Sequence, residues 1–300
     1  AIAQCLVGSE MCIRDRYIQW YPGHMTKAMR MMEASLKAAD CVIYVLDARV
    51  INSSRNPAFD KMICGMPVLY VFNKCDMVER ADVAEWEKYY RDKGEMCVSV
   101  NSTSPRFRAE VISKLLLLNK SVIEKYASKG VNKTVRALVA GVPNTGKSTL
   151  INCLCGSKRA VTGNRPGVTR GKQWVKLASN IELLDTPGTL PPAFEDGQKA
   201  VRLAMIGSIK EEILDVAELG LEAVKFFADR KYKPFAERYG LEDLSGEPLE
   251  IMDKIAKKRG FLLSRDNYDY ERAARAVLDD LRKLRLGKVM LDKVEEDNGR

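Results

Sequence analysis

Between residues 41 and 185 the chain repeatedly runs apolar for four to six positions and then stops on a polar residue or a glycine. Cys41 to Leu46 ends at Asp47, Val68 to Phe72 at Asn73, Cys97 to Val100 at Asn101, and Val135 to Ala140 runs into Gly141. Trp174 to Leu177 and Ile181 to Leu184 are shorter, predict a hairpin turning at Ser179-Asn180, and end at Asp185. The segments Thr26–Ala39, Ala81–Arg91 and Ala109–Tyr126 instead repeat their apolar positions at helical spacing, with Thr26 placed as an N-cap. Continuous apolar strands alternating with helices predict an α/β fold, a doubly wound parallel sheet covered on both faces. Ligands bind such sheets beyond the carboxyl ends of the strands, so the stopping residues are where chemistry is expected.

After about Phe194 the texture changes. Val201–Ala228, Pro248–Lys258 and Tyr270–Leu286 are amphipathic helical patterns with no strand of comparable quality. The expected organisation is an α/β domain over 17–205, an all-helical domain over 206–290 and a frayed charged tail over 291–300. Residues 1–16 lack the basic start and long apolar core of a signal peptide. The string from Cys5 to Arg16 resembles a translated sequencing-adapter read-through, and 1–16 is read as a non-native leader.

Composition narrows the partner. The 300 residues carry a net charge of +9, and 101–200 holds 16 Lys and Arg against 6 Asp and Glu. Such a concentrated field suits a nucleotide or nucleic acid, or else is a basic face kept for solubility. The eight cysteines form no CxxC pair and several lie inside apolar runs, as buried reduced thiols of a cytoplasmic protein do. His24 is the single histidine, which excludes multi-histidine metal sites and two-histidine catalysis. No apolar run is long enough to span a membrane.

The strongest chemical signal is Gly141-Val-Pro-Asn-Thr-Gly146-Lys147-Ser148, a GxxxxGK[ST] loop between a buried strand and a helix. Glycines there let backbone N–H groups wrap a phosphate chain at a helix N-terminus. Lys147 is expected on the β- and γ-phosphates and Ser148 on Mg2+. Asp185-Thr-Pro-Gly188 follows 38 residues after Lys147, with Thr169 of Pro166-Gly-Val-Thr in between. Asp185 and Thr169 suit the same Mg2+, and the Gly188 N–H suits a γ-phosphate. Asn73-Lys74-Cys75-Asp76 closes the second strand. A carboxylate at Asp76 accepts from guanine N1–H and its exocyclic amine together, a donor pair adenine lacks, so the expected nucleotide is GTP or GDP. Asn101 and Ser102 fit a supporting loop on the base.

The order of these motifs is unusual: NKCD and NSTS precede the phosphate loop, PGVT and DTPG, so the chain reads as a circularly permuted GTPase. With Trp20-Tyr-Pro-Gly-His24-Met, Asp47-Ala-Arg49 and Ser53-Ser-Arg-Asn-Pro57, it closely resembles the YlqF/RbgA family of ribosome-biogenesis GTPases from about Ile18 to Leu286. The resemblance implies GTP hydrolysis coupled to late assembly of the large ribosomal subunit, with a helical domain on ribosomal RNA and a monomeric chain. It places nucleotide on Asn73, Lys74, Asp76, Asn144, Thr145, Gly146, Lys147, Ser148 and Thr149, and a potassium ion on Asn144. It makes His24 the candidate that positions the attacking water; the other reading is a structural or RNA-contacting histidine in a Pro-Gly turn. Two positions depart from the family: Thr189 replaces an aliphatic residue after Gly188, and the chain reads Val50-Ile51 where the family has a proline after Asp-Ala-Arg-x. Lys254–Arg259 and Arg272–Lys288, with Tyr268 and Tyr270, are the candidate RNA face, or a solvated face. The competing function is an RNA-binding module whose GTP site is structural or regulatory, with little turnover.

Overall fold

Six strands make one sheet in the order β3-β2-β1-β4-β6-β5. They are β1 (Cys41–Asp47), β2 (Val68–Asn73), β3 (Met96–Val100), β4 (Val135–Ala140), β5 (Trp174–Ala178) and β6 (Ile181–Asp185). All neighbours are parallel except β5, which turns back on β6 as the predicted hairpin. The structure, a computed structural model, describes residues 23–156, 174–190, 196–209, 215–264 and 267–294, with the backbone alone for 23–28 and 264. The leader proposed for 1–16 lies outside the described residues.

The side chains of the strands alternate between two cores, as a pleated sheet requires. Tyr44, Leu46, Tyr70 and Phe72 face one way, against α1 (Gly23–Leu36), α2 (Pro57–Met62) and α3 (Arg80–Asp92) through Met32, Phe59 and Trp86. Ile43, Val45, Val71 and Val139 face the other way, against α4 (Arg108–Leu118) and α6 (Lys147–Cys155) through Leu115 and Leu150. Between these two helices lies α5 (Lys120–Ala127). Register decides what stands at the carboxyl edge. Asp47 is level with Asn73, Asn73 with Val100, and Asp185 with Val139.

Two local expectations are corrected and one helix is added. The first helix begins at Gly23, so Thr26 lies within it rather than capping it, and it ends in turns at Ala38 and Ala39. The helix expected over 109–126 is two, parted at Asn119, whose buried side chain donates Nδ2 to the Leu115 carbonyl at 2.8 Å. Asparagine competes for backbone partners in this way, and here it interrupts the run. Helix α2 was not anticipated; Asn56 caps it by accepting from the N–H groups of Ala58 and Phe59.

The chain divides into two compact units, one of 19–193 with 290–300 and one centred on 194–289. The second holds α7 (Gly197–Met205), α8 (Val216–Asp229), α9 (Lys233–Tyr239), α10 (Pro248–Arg259) and α11 (Tyr270–Arg282). Helix α7, placed with the α/β domain by the sequence, packs on α8 and α11, and Arg282 donates to the carbonyls of Ala204 and Met205 at 2.9 and 2.8 Å. The unit is also not purely helical, since β7 (Leu262–Ser264) and β8 (Asn267–Tyr268) form a short antiparallel ribbon. Nor is the tail frayed where it is described: Leu291 and Asp292 are buried in the first unit.

Candidate nucleotide-binding site

The loop from Gly141 to Gly146 joins β4 to α6 and is shaped by close approach. Gly146 has φ +90°, and a Cβ there would stand 2.3 Å from Asn73 Nδ2. Asn144 is itself left-handed at φ 61°. Thr145 is buried and its hydroxyl donates back to the Val142 carbonyl at 3.0 Å. The Lys147 ammonium donates to the same carbonyl at 2.7 Å and is buried. Burial pushes its pKa down to about 8; Asp185 opposes that fall and Lys74 adds to it. Among the described residues no carboxylate forms an ion pair with this ammonium, a condition that a phosphate would relieve.

Ser148 Oγ donates to Asp185 Oδ2 at 2.8 Å. A hydroxyl and a carboxylate oxygen in contact, beside a phosphate loop, are the hard oxygen donors that Mg2+ takes together with substrate phosphates. Among the described residues no cluster of three His, Cys, Asp or Glu side chains could hold a metal by itself. Gly188 lies over the loop; a Cβ there would stand 2.8 Å from both Lys147 Nζ and the Pro143 backbone. Thr186 donates to the Val139 carbonyl at 2.7 Å, pinning the DTPG turn to β4.

On the base side, Asp76 is exposed in a 3₁₀ turn over Cys75–Met77, entered through Lys74 in the left-handed region. Asn73 is buried and braces three loops. Its Nδ2 donates to the Thr145 carbonyl at 2.7 Å, while its Oδ1 accepts from Ser102 N and Oγ at 3.3 and 2.6 Å. Asn101 turns its Oδ1 onto Thr103 N and Oγ1 at 2.9 and 2.6 Å, which shapes its own loop. Thr149 is exposed on the first turn of α6. The expected set on Asn73, Lys74, Ser102, Asn144, Thr145, Lys147, Ser148 and Asp185 is therefore gathered at one edge of the sheet, much of it braced loop to loop. Thr169 lies outside the described residues. His24 is in the first turn of α1, and its side chain lies outside them as well.

One functional residue was noticed in the sequence only as part of a signature. Asp47, fully buried, accepts from Arg49 Nε and a terminal nitrogen at 2.9 and 2.8 Å, and from Lys74 Nζ at 2.8 Å. Lys74 also donates to the Asn144 carbonyl at 2.6 Å. Burial alone pushes the Asp47 carboxyl up, but Arg49 and Lys74 outweigh it and hold the group well below the usual carboxylate range. The pair thus clamps the base-side loop to the phosphate loop. Val50 and Ile51, where the family proline is missing, are fully buried, and the Val50 N–H donates to the Asp47 carbonyl at 2.9 Å. Thr189 is buried with its hydroxyl 3.7 Å from Met32 Sδ, so it faces the core.

A GxxxxGK[ST] loop between strand and helix, a bonded serine–aspartate pair beside it and an NKxD turn at a neighbouring strand end together mark a P-loop GTPase, with the NKxD turn first in the chain. Comparison with known proteins carries this further. Residues 136–256 match a family described as 50S ribosome-binding GTPase. The ribosome biogenesis GTPase A of Bacillus cereus is 41% identical over 93% of this chain and 95% of its own length. Mitochondrial ribosome-associated GTPase 1 of Ictalurus punctatus is 32% identical over 91% and 92%. The GDP-bound structure of TM YlqF superposes with a TM-score of 0.65 at 25% identity, covering 89% of this chain and all of that one. The chain belongs to the ribosome biogenesis GTPase A (YlqF/RbgA) family.

The candidate RNA face is largely engaged inside its own unit. Lys258 and Arg259 donate to the carbonyls of Gly240 and Arg238, at the end of α9. Arg272 lies over the Phe261 ring, and Tyr270 donates to Asp253 at 2.8 Å. Lys254 and Lys257 are exposed.

Proposed function

We propose that this protein is a GTP-hydrolysing assembly factor of the large (50S) ribosomal subunit, binding ribosomal RNA in precursor particles in its GTP state and leaving on hydrolysis. The observation that carries the reading is the joint placement of Lys147, the Ser148–Asp185 pair and Gly188 at the phosphate loop, which the Lys74 clamp ties to the turn that holds Asp76. A site serving only as a folded plug needs no pre-set metal pair beside a poised lysine.

Ser148 and Asp185, joined by Thr169, would hold Mg2+, which when bound offsets the charge of the phosphates. Lys147 meets the β- and γ-phosphates, Gly188 offers its N–H, and Asp76 reads guanine. A potassium ion beside the phosphates would be held by Asn144, whose carbonyl also accepts from Lys74. The family resemblance makes His24 the residue that would orient the water, as a neutral imidazole that positions it or accepts its proton; Thr189 faces the core. Lys254 and Lys257 supply exposed charge for RNA phosphates. The setting is the cytoplasm, where the thiols stay reduced; burial pushes those of Cys41 and Cys97 up to about 11. Among the described residues no helix is long and apolar enough to cross a membrane.

Cosedimentation with immature large subunits in a non-hydrolysable GTP analogue tests the reading, alongside GTP turnover with and without particles in potassium or sodium buffer. Binding in the analogue with particle-stimulated, potassium-favoured turnover is expected. No turnover under any condition would leave the RNA-binding module. His24→Ala should abolish the stimulated rate and spare GTP affinity.

A further inference from the structure

Residues 290–294 come after the helical unit in the chain, yet they are built into the nucleotide-binding unit. Met290 and Val294 pack on the core face shared by α1, α2 and α3, and Leu291 is fully buried. Asp292 is buried too, at 3% exposure. A carboxylate is buried only where donors meet it. Here Ser53 supplies two of them, its N–H to Oδ2 at 2.7 Å and its hydroxyl to Oδ1 at 2.8 Å. One residue earlier, the Leu291 N–H donates to the Arg49 carbonyl at 2.7 Å.

Both partners belong to the loop that follows β1, and that loop carries the clamp. From the Arg49 carbonyl the path continues through the Arg49 guanidinium to Asp47, from Asp47 to Lys74, and from Lys74 to the Asn144 carbonyl of the phosphate loop. Ser54, next to Ser53, accepts the Asp47 N–H at 3.2 Å. The terminal segment therefore holds the same loop whose arginine sets where the Asp47 carboxylate, and with it Lys74, stands. Apolar packing of Leu291 would suffice to seat a tail. The carboxylate adds two directed bonds to the loop itself, and charge-assisted bonds of this kind fix geometry as well as contributing energy.

We propose that Asp292 is a positioning residue of the nucleotide site, acting through the Ser53–Arg49 loop and the Asp47–Lys74 clamp on the phosphate loop. Removing its carboxylate leaves the buried Ser53 N–H without its acceptor, and the loop relaxes toward other partners. The clamp then holds the phosphate loop less well in its binding shape, which weakens affinity and leaves the chemistry of bound GTP alone. The inference rests on nucleotide binding at this loop and is independent of the ribosomal partner.

The test uses the full chain, a fluorescent GDP analogue, GTP turnover and thermal unfolding. Asp292→Ala should raise Kd and KM by about 3- to 10-fold, the equivalent of losing one such bond, with kcat unchanged. Asp292→Asn keeps an acceptor for the Ser53 N–H and offers an amide to its hydroxyl, so it should restore affinity. Ser53→Ala, the milder deletion, should raise Kd in the same direction and decides the matter if Asp292→Ala does not fold. A lowered Tm with unchanged Kd and KM in the folded variants would reduce the segment to packing and overturn the proposal. Failure of the unmodified chain to bind the analogue would instead overturn the nucleotide site itself.

Discussion

Each unit of this molecule buries charge, but to different ends. In the helical unit Asp280 is surrounded by its own unit's donors: Arg238 at 2.8 and 3.2 Å, Arg285 at 2.8 Å and Tyr239 at 3.0 Å. Its carboxyl is lowered despite burial because those bonds favour the charged form, while burial raises the Tyr239 hydroxyl and the Asp280 charge and bond add to that rise. In the nucleotide unit the buried charges stand at the carboxyl edge of a parallel sheet, and Lys147 there is depressed by burial. Buried charge alone therefore does not mark a site. A buried charge that its own fold leaves destabilised, beside a glycine cradle, does.

Four measurements press on that contrast. The largest effect is expected from Lys147→Ala, which should cut GTP turnover by about 10²- to 10³-fold, as when one preorganised donor to developing charge is removed. Its thermal unfolding should hold or improve, since the charge is a cost to the empty fold. A marked loss of stability without loss of turnover would erase the distinction between the units.

The second is pH. The Lys147 pKa of about 8 in the empty protein lies below the ordinary value of 10.5, so the neutral form takes over as pH rises through 8. Phosphate needs the ammonium, and binding must therefore draw in a proton above that point. Affinity for GDP should stay level below about pH 8 and fall by about tenfold per unit above it. A profile flat to pH 9 would place Lys147 outside the phosphate contacts. The same depression destabilises the empty fold below pH 8, and that cost is relieved between 8 and 10.5.

Third, Asp280→Ala should lower unfolding stability by about 2 kcal/mol in a denaturant titration, through lost bonds to Arg238, Arg285 and Tyr239. Intrinsic GTP turnover should not change. The smallest effect is expected from Thr189→Val. Among the described residues the hydroxyl meets only a thioether, a weak acceptor, so stability should shift by less than about 0.5 kcal/mol with turnover unchanged. A large rate change would return Thr189 to the phosphates.

Much of this architecture is legible without coordinates. Each predicted strand lies within a residue or so of its observed limits: burial on both faces leaves β1 and β2 as unbroken apolar runs, and β3 to β6 are interrupted only by Ser99, Arg136, Lys176 and Glu182 in turn. The phosphate loop is equally plain, since close approach and left-handed backbone restrict it to glycine at Gly146. What escaped detection has no local periodicity. Asn119 divides a helix through one side-chain bond, and α2 is a short turn set by the Asn56 cap. Helix α7 carries an amphipathic pattern that says it is buried but not against what.

The sequence by itself determined the strands, the residues at their ends and the identity of the phosphate and guanine motifs, because those depend on burial, backbone freedom and donor chemistry at neighbouring positions. Only the tertiary structure decided how they work together. Asn73, read as a base contact, is also the brace between three loops, and Asp47, read as a signature, is the counter-ion that locks Lys74 to the phosphate loop. Asp292, read as part of a frayed tail, meets Ser53 across 239 positions of sequence. Such pairs form when the register of parallel strands and the return of a distant segment bring them within hydrogen-bond reach, and no spacing along the chain encodes that distance.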